Sequence, residues 1–534
     1  MRIRRAFWAA AAGMLAGAAL MGAAPASAVT FRYAFQGDIK SLDPYTLKET
    51  FTIAAHGNVY EGLTTRDKDL KIVPLLAERW ETPEPTRWRF YLRKGVKFHD
   101  GSPFTADDVV FSAERVRAPG SNFATNVASD AKVVKVDDYT VDFILGGPNP
   151  ILHAQFDNWY IMSKSWAEKH DAVKPTPASA TTPSYAALNA NGTGPFIIES
   201  HQPGVRTVFK RNPNYWGKID SNLDEAVFST IASDATRVAA LLSGEVDWMD
   251  PVPLQDQQRV NSSPNAVVMA GPEIRTIFLG MDQVRDELLE SSVKGKNPFK
   301  DQRVRKAFFL AVDENVIKTR VMRNQATPSA LMIAPSLFSL SKDFVREPAD
   351  PEKAKKLLAE AGYPNGFEVG MDCPNDRYVN DADICQAVVS MLSRIGIKVN
   401  LNAQPKAKYF AKVLKAGGYS TSFYLLGWTP ATSDSHNVLY EIMGCRNDPK
   451  TSRGESNLGG YCNPKLDELT DQVLIENDQA KRDQLIKQAF QIGVDDAGYI
   501  PLHQQALAWG VSKKVKLVQR PDNQFLLRWV VKEP

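Results

Sequence analysis

Residues Arg87–Val116 read RWRFYLRKGVKFHDGSPFTADDVVFSAERV. Trp88, Phe90 and Leu92 alternate with Arg89, Tyr91 and Arg93, which predicts a strand with one apolar and one solvated face. Lys94-Gly95 predicts a turn, Val96–Phe98 a return to extended chain, and His99-Asp100-Gly101 a second break. A helix then begins with most of its start signals in place. Thr105 is a cap residue, and Asp108 three positions on answers it. Phe104 and Val109 occupy the two staple positions, and Asp107 and Asp108 face the positive end of the helix dipole. Val109, Ala113 and Val116 mark the buried side. His99 and Asp100 are neighbours in a tight turn, where adjacent side chains point apart, so the stretch reads as structural and not as a catalytic dyad.

The chain around it has 534 residues, 43% hydrophobic and 23% charged, enough for more than one core. Its N-terminus differs in kind. Arg2, Arg4 and Arg5 precede an apolar, small-residue run from Phe7 to Ala24, and Ala26-Ser27-Ala28 has the small-x-small pattern of a cleavage site. A cleaved signal peptide over residues 1–28 is the expectation, against the alternative of a membrane anchor. No later run approaches the roughly 18 apolar residues that a span requires. Without the leader, basic and acidic residues balance at 61 each, since it carries three of the 64 basic residues and none of the acids. A neutral mature chain argues against nucleic acid or a polyanionic surface as partner.

The four cysteines form two local pairs in sequence, Cys373/Cys385 and Cys445/Cys462. In an oxidising compartment an even count predicts disulfides; four cysteines allow three connectivities, and local pairing is expected here. The alternative is four free buried thiols. No cysteine follows the cleavage site, which points to a freely diffusing periplasmic protein and not a lipoprotein. The seven histidines, at 56, 99, 153, 170, 201, 436 and 503, include no i, i+4 pair. Neither a metal site nor a cofactor is expected, His436 being the single histidine near either cysteine pair.

Short strands and the helix above fill residues 64 to about 190, which end in the Pro/Ala/Ser/Thr-rich loop 173–194. Phe196–Asn212 reads as a hairpin turning at Pro203-Gly204. RTIFLGMD, Arg275–Asp282, is an apolar strand. Beyond it helices and strands alternate: Asp350-Pro351 opens a helix closed at Gly362, Asp381–Ile395 and Lys406–Leu414 are further helices, and YSTSFYLLGW is a strand leaving into the loop TPATSDS. This alternation predicts mixed α/β lobes.

The signature in Arg87–Val116 closely resembles that of the large extracytoplasmic solute-binding proteins of ABC importers, the peptide and nickel binding family. SLDP (Ser41–Pro44), YEGL (Tyr60–Leu63), PLLAERW (Pro74–Trp80), NGTGPF (Asn191–Phe196), NPNYWG (Asn212–Gly217), LLSGEVDWM (Leu241–Met249), DQRVRKAFFLAVD (Asp301–Asp313) and GWT (Gly427–Thr429) follow in the family's order. The resemblance implies a two-lobed periplasmic binding protein fold (type II, cluster C-like), α/β, with an extra subdomain in the first lobe. The implied divisions are lobe 1 at 29–272 with the insert at about 57–190, lobe 2 at 273–504, and a return to lobe 1 at 505–534.

It also implies a non-enzymatic monomer that captures a peptide or peptide-like small molecule and delivers it to an ABC permease and its ATPase in the inner membrane. Crossing strands would let the lobes close over the ligand, which needs polar strand ends and aromatic faces. Candidate ligand residues are Phe51, Trp248, Arg377, Gly427, Trp428, Thr429 and Asp434. Dipeptide-binding relatives place an aspartate just after Trp-Thr-Pro for the α-ammonium; here that position is Ala431, and the nearest acid is Asp434. Their arginine for the peptide carboxylate lies early in the helix that here reads NDADICQ, and Arg377 upstream is the substitute. These departures keep a non-peptide solute open: an opine, a sugar conjugate, a nickel chelate or haem. A secreted hydrolase is the reading from another class, and the absence of G-x-S-x-G, H-E-x-x-H and P-loop patterns argues against it.

Overall fold

In a computed structural model, residues 28–446, 453–476 and 478–533 are described. The expected leader lies, except for Ala28, outside them. No helix among the described residues is long and apolar enough to cross a membrane.

One eleven-stranded sheet runs through both lobes. On one side the parallel trio Lys398–Gln404, Glu368–Pro374 and Phe423–Trp428 belongs to lobe 2. On the other, Trp248–Asp250, Thr30–Phe35 and Glu225–Thr230 pair in parallel in lobe 1, and Arg206–Arg211 and Phe196–Gln202 extend them as the expected hairpin. Two long antiparallel strands, Ala266–Met281 and Tyr499–Ser512, join the halves. Tyr499–Ser512 pairs on its far side with Trp248–Asp250, and Ala266–Met281 on its far side with Phe423–Trp428. Their register shifts between Pro272 and Thr276 and again between Ile277 and Phe278. The strand predicted to begin at Arg275 therefore begins nine residues earlier, because Glu273-Ile274-Arg275 is an irregularity within a continuous strand and not a break.

The stretch Arg87–Val116 forms as its pattern requires. Arg87–Leu92 is a central strand of a separate four-stranded sheet, with Trp88, Phe90 and Leu92 buried. Ala106–Arg117 is the helix; the Asp108 carboxylate accepts from the Thr105 N–H at 2.9 Å, and Val109, Ala113 and Val116 are buried. His99 makes a hydrogen bond with the Gly194 carbonyl, and Asp100 accepts from Ser102 within its own turn.

Several of the family-like motifs meet in one knot away from the lobe junction. Glu61 of YEGL accepts from Thr193 of NGTGPF at 2.9 Å and from Tyr215 and Trp216 of NPNYWG at 2.7 and 2.8 Å. Asp43 of SLDP accepts from the Thr176 N–H and the Arg115 guanidinium, with both Asp43 and Arg115 side chains fully buried. These motifs build the scaffold. A buried carboxylate with three or more donors would be costly to leave unpaired, so each ties distant segments into one arrangement. Both local disulfides form, Cys373–Cys385 and Cys445–Cys462.

Candidate functional site

Where the long strands cross, the lobes face each other over a narrow cleft lined by residues of both. Lobe 1 contributes Phe35, Glu49, Phe51, Trp248 and Asp250; lobe 2 contributes Arg377 and Tyr378; the crossing strand adds Arg275. The apolar walls are aromatic. Phe35 and Phe51 stack at 4.1 Å between ring centroids, and Trp248 stacks on Phe525 at 4.3 Å. The strand Thr30–Phe35 and the helix Thr50–His56 place the first pair; the strand Trp248–Asp250 places the tryptophan.

The charges come from both lobes. Arg275 lies in the register shift and is 2% exposed. Its Nη2 is 3.0 Å from Glu273 and donates to Thr50 of lobe 1 at 3.2 Å, while its Nε donates to Thr429 of lobe 2 at 3.0 Å. Glu49 caps the helix Thr50–His56 through Oε2, which accepts from the N–H and hydroxyl of Thr52. Its other oxygen turns toward lobe 2, 3.7 Å from Arg377 Nη2 and 3.9 Å from Lys406 Nζ. Burial alone would raise the Glu49 carboxyl, yet Lys406 and Arg377 bring it down to about 2. Asp250 goes the other way: burial, with repulsion from Glu273, pushes it up to about 7. Two buried acids in one cleft thus have opposite protonation tendencies.

The structure brings Phe51, Trp248 and Arg377 together as lining residues. Gly427 and Thr429 lie directly behind them. The Gly427 carbonyl accepts from Tyr378 at 3.3 Å, and a Cβ at 427 would sit 2.7 Å from both Ile277 and Tyr378, so any larger residue would push those side chains aside. Trp428 packs against the lobe 2 core and donates from Nε1 to Asn437 at 2.9 Å. Asp434 caps the helix Ser435–Glu441 and pairs through both oxygens with Arg482, each at 2.8 Å. Its carboxylate is therefore engaged within lobe 2 and is not among the cleft-lining groups. Glu49, Asp250, Arg275, Tyr378 and Lys406 escaped the sequence reading. A lone arginine at the head of an apolar strand was the one local signal, for Arg275.

The sequence profile of the bacterial extracellular solute-binding proteins, family 5 Middle, matches residues 71–450. The chain belongs to this family. The glutathione-binding protein GsiB of Shigella boydii is 26% identical over 510 residues, 93% of each chain. Among solved structures, DppA of Helicobacter pylori in complex with the peptide STSA aligns with a TM-score of 0.82 and 25% identity, over 95% of this chain and 98% of that one. AgaA of A. tumefaciens R10, in complex with agropinic acid, aligns at 0.81 and 24%, over 95% and 99%. This solute-binding protein shares their fold, and its cleft lies where the continuous sheet passes between the lobes.

Proposed function

We propose that the protein is the periplasmic substrate receptor of an ABC importer, enclosing a peptide or peptide-like solute between its lobes and delivering it to the permease. It carries out no reaction of its own, and transport energy comes from the separate ATPase. The observation that carries this is the cleft: aromatic faces and opposite charges contributed by two lobes, joined by two strands that can flex about their two register shifts. Residues 29–272 with 505–534, and residues 273–504, act as the two moving bodies.

Phe51 and Trp248 would bury apolar parts of the solute, and Arg377 would meet a negative group. Gly427, Trp428 and Thr429 would hold the wall through Tyr378, Asn437 and Arg275. The GsiB and DppA relationships support a peptide-like solute. One observation favours an opine-like or other non-peptide acid as a second reading: with Ala431 in the loop and Asp434 held by Arg482, that loop offers no free acid to an α-ammonium.

Native mass spectrometry of the protein purified from periplasm tests this. A mass excess released on denaturation, with fragments showing a peptide bond, supports the first reading; a non-peptide acid replaces it with the second. A chain that carries nothing, and whose melting temperature no peptide or opine shifts, would end the receptor reading.

A further inference from the structure

A second cavity lies inside lobe 2, away from the cleft. It measures about 370 Å³ and shares no lining residue with the interlobe site. Its walls come from the helices Gln302–Ala311 and Gln479–Asp495, the segment 330–347 and the start of the crossing strand Tyr499–Ser512. Leu331, Met332, Met443, Phe490 and Tyr499 belong to one hydrophobic core of the lobe, and Phe309 packs against another, so the space is a seam between the two. A cavity of about 150 Å³ with such walls stays dry and takes up benzene, which by proportion leaves room here for roughly a dozen non-hydrogen atoms. Val345 and Val494, lining residues that are 89% and 40% exposed, give its mouth an apolar rim.

One charged group of the lining has no counter-charge. Arg346 lies over the Phe309 ring at 4.6 Å and donates to the Pro501 carbonyl, with the Ser329 and Val312 carbonyls at 3.5 Å. Among the described residues no carboxylate pairs with its guanidinium, and the acids around it are placed otherwise. Glu347 is held by Lys306 at 2.5 Å and by Lys353 at 2.7 Å. Asp313 accepts from the Val316 N–H, and Glu314 bonds His503 through Oε1 while its Oε2 has no partner. Asp495 is exposed and accepts from Gln491 at 2.7 Å. A half-buried guanidinium that leans only on main-chain carbonyls keeps its full charge beside an apolar space, and such a charge is costly until an anion answers it.

We propose that this cavity is a second binding site, for a medium-chain monocarboxylate: the alkyl chain fills the seam between the two cores and the carboxylate meets Arg346. Met332 and Met443 are unbranched and polarizable, so the walls can follow the bends of a flexible chain. The lining tyrosine is not free for a neutral head group, since the Tyr499 hydroxyl donates to the Ile442 carbonyl. A guanidinium takes a carboxylate through two parallel N–H donors, and two of the present contacts of Arg346 are at the limit of hydrogen-bond reach. The site asks nothing of the interlobe cleft and stands independently of the receptor reading.

Isothermal titration of the mature chain with decanoate, decanol and butyrate, each below its micellar concentration, tests it. Decanoate is expected to bind about tenfold tighter than the alcohol, and butyrate, too short to fill the seam, not measurably. Arg346→Met keeps a stem over Phe309 and is expected to bring decanoate down to the level of the alcohol, whose own binding stays unchanged. In crystals grown with ω-bromodecanoate, bromine density is expected against Met443 and Phe490. Bromine in the interlobe cleft or on the surface, decanoate and decanol binding alike, or no binding at all would each overturn the inference and leave the receptor reading untouched. So would an Arg346→Met chain of unchanged melting temperature that still prefers the acid. Should that variant fail to fold, the bromine position and the acid-to-alcohol ratio of the unaltered chain decide.

Discussion

Asp250 carries a pH dependence whose sign can be worked out. It is buried against Glu273, with Asn523, Arg237 and Arg275 as its other charged or polar neighbours, and its carboxyl is pushed from 3.8 up to about 7. The folded state therefore keeps a proton that the unfolded chain gives up. The group's contribution to stability is complete below about pH 4 and is lost as pH rises through about 7. Glu49 behaves oppositely: its stabilisation is present above 4.5 and lost as pH falls toward about 2, so the two windows barely overlap. Asp250→Asn is expected to narrow the gap between denaturation midpoints measured at about pH 5 and about pH 8. Arg275 gives a second residue-scale outcome. Arg275→Met leaves Glu273 buried without its counter-charge, and urea melts should show a loss of about 3–5 kcal/mol. Most of it is expected to return in the Arg275→Met, Glu273→Leu double variant, because then neither charge is buried.

Among elements, the disulfide Cys373–Cys385 ties the end of the strand Glu368–Pro374 to the helix Asp381–Ser393, flanking Arg377 and Tyr378. It closes a loop of 12 residues, which in the chain-entropy account corresponds to about 3 kcal/mol. Reduction, or the Cys373→Ala, Cys385→Ala chain, is expected to lower the melting temperature and to weaken binding, since the loop bearing Arg377 loses its staple. The elements also show what could be read in advance. Ala106–Arg117 was legible because Thr105, Asp108 and Val109 are near neighbours in sequence. The two crossing strands were legible only in pieces, because a register shift at Pro272–Thr276 looks like a chain break to any local pattern. The helix Ser435–Glu441 was missed, and its cap Asp434 was taken for a ligand acid. Its partner Arg482 lies 48 residues away, so no local spacing could reveal that the charge was already answered. Phe51, Trp248 and Arg377, singled out in the sequence for their aromatic and cationic side chains, do line the cleft. Glu49 and Lys406 meet through a fold that no window of sequence contains.

For the whole molecule, closure is a balance between cross-lobe contacts and the freedom of the hinge. Lys48–Glu441 is an ion pair across it that also makes a hydrogen bond, at 3.0 Å, with side chains 17% and 6% exposed. Lys48→Met is expected to shift the ligand-free protein toward a more open form, seen as a larger radius of gyration in small-angle scattering. Apparent affinity should fall about fivefold, as expected when a contact worth about 1 kcal/mol is lost from the binding-competent state.

Lobe 1 is assembled from both ends of the chain. Phe525 stacks on Phe31 and Trp248, the Leu527 N–H donates to Asn58, and Lys532 reaches Asp247. The lobe 2 core, by contrast, draws on residues 277–502. During synthesis the first lobe therefore waits, with Phe31 and Trp248 uncovered, until Phe525 has emerged. Until then lobe 1 is still without its finished core while the later residues are being made, the condition in which a polypeptide can be threaded through a narrow channel.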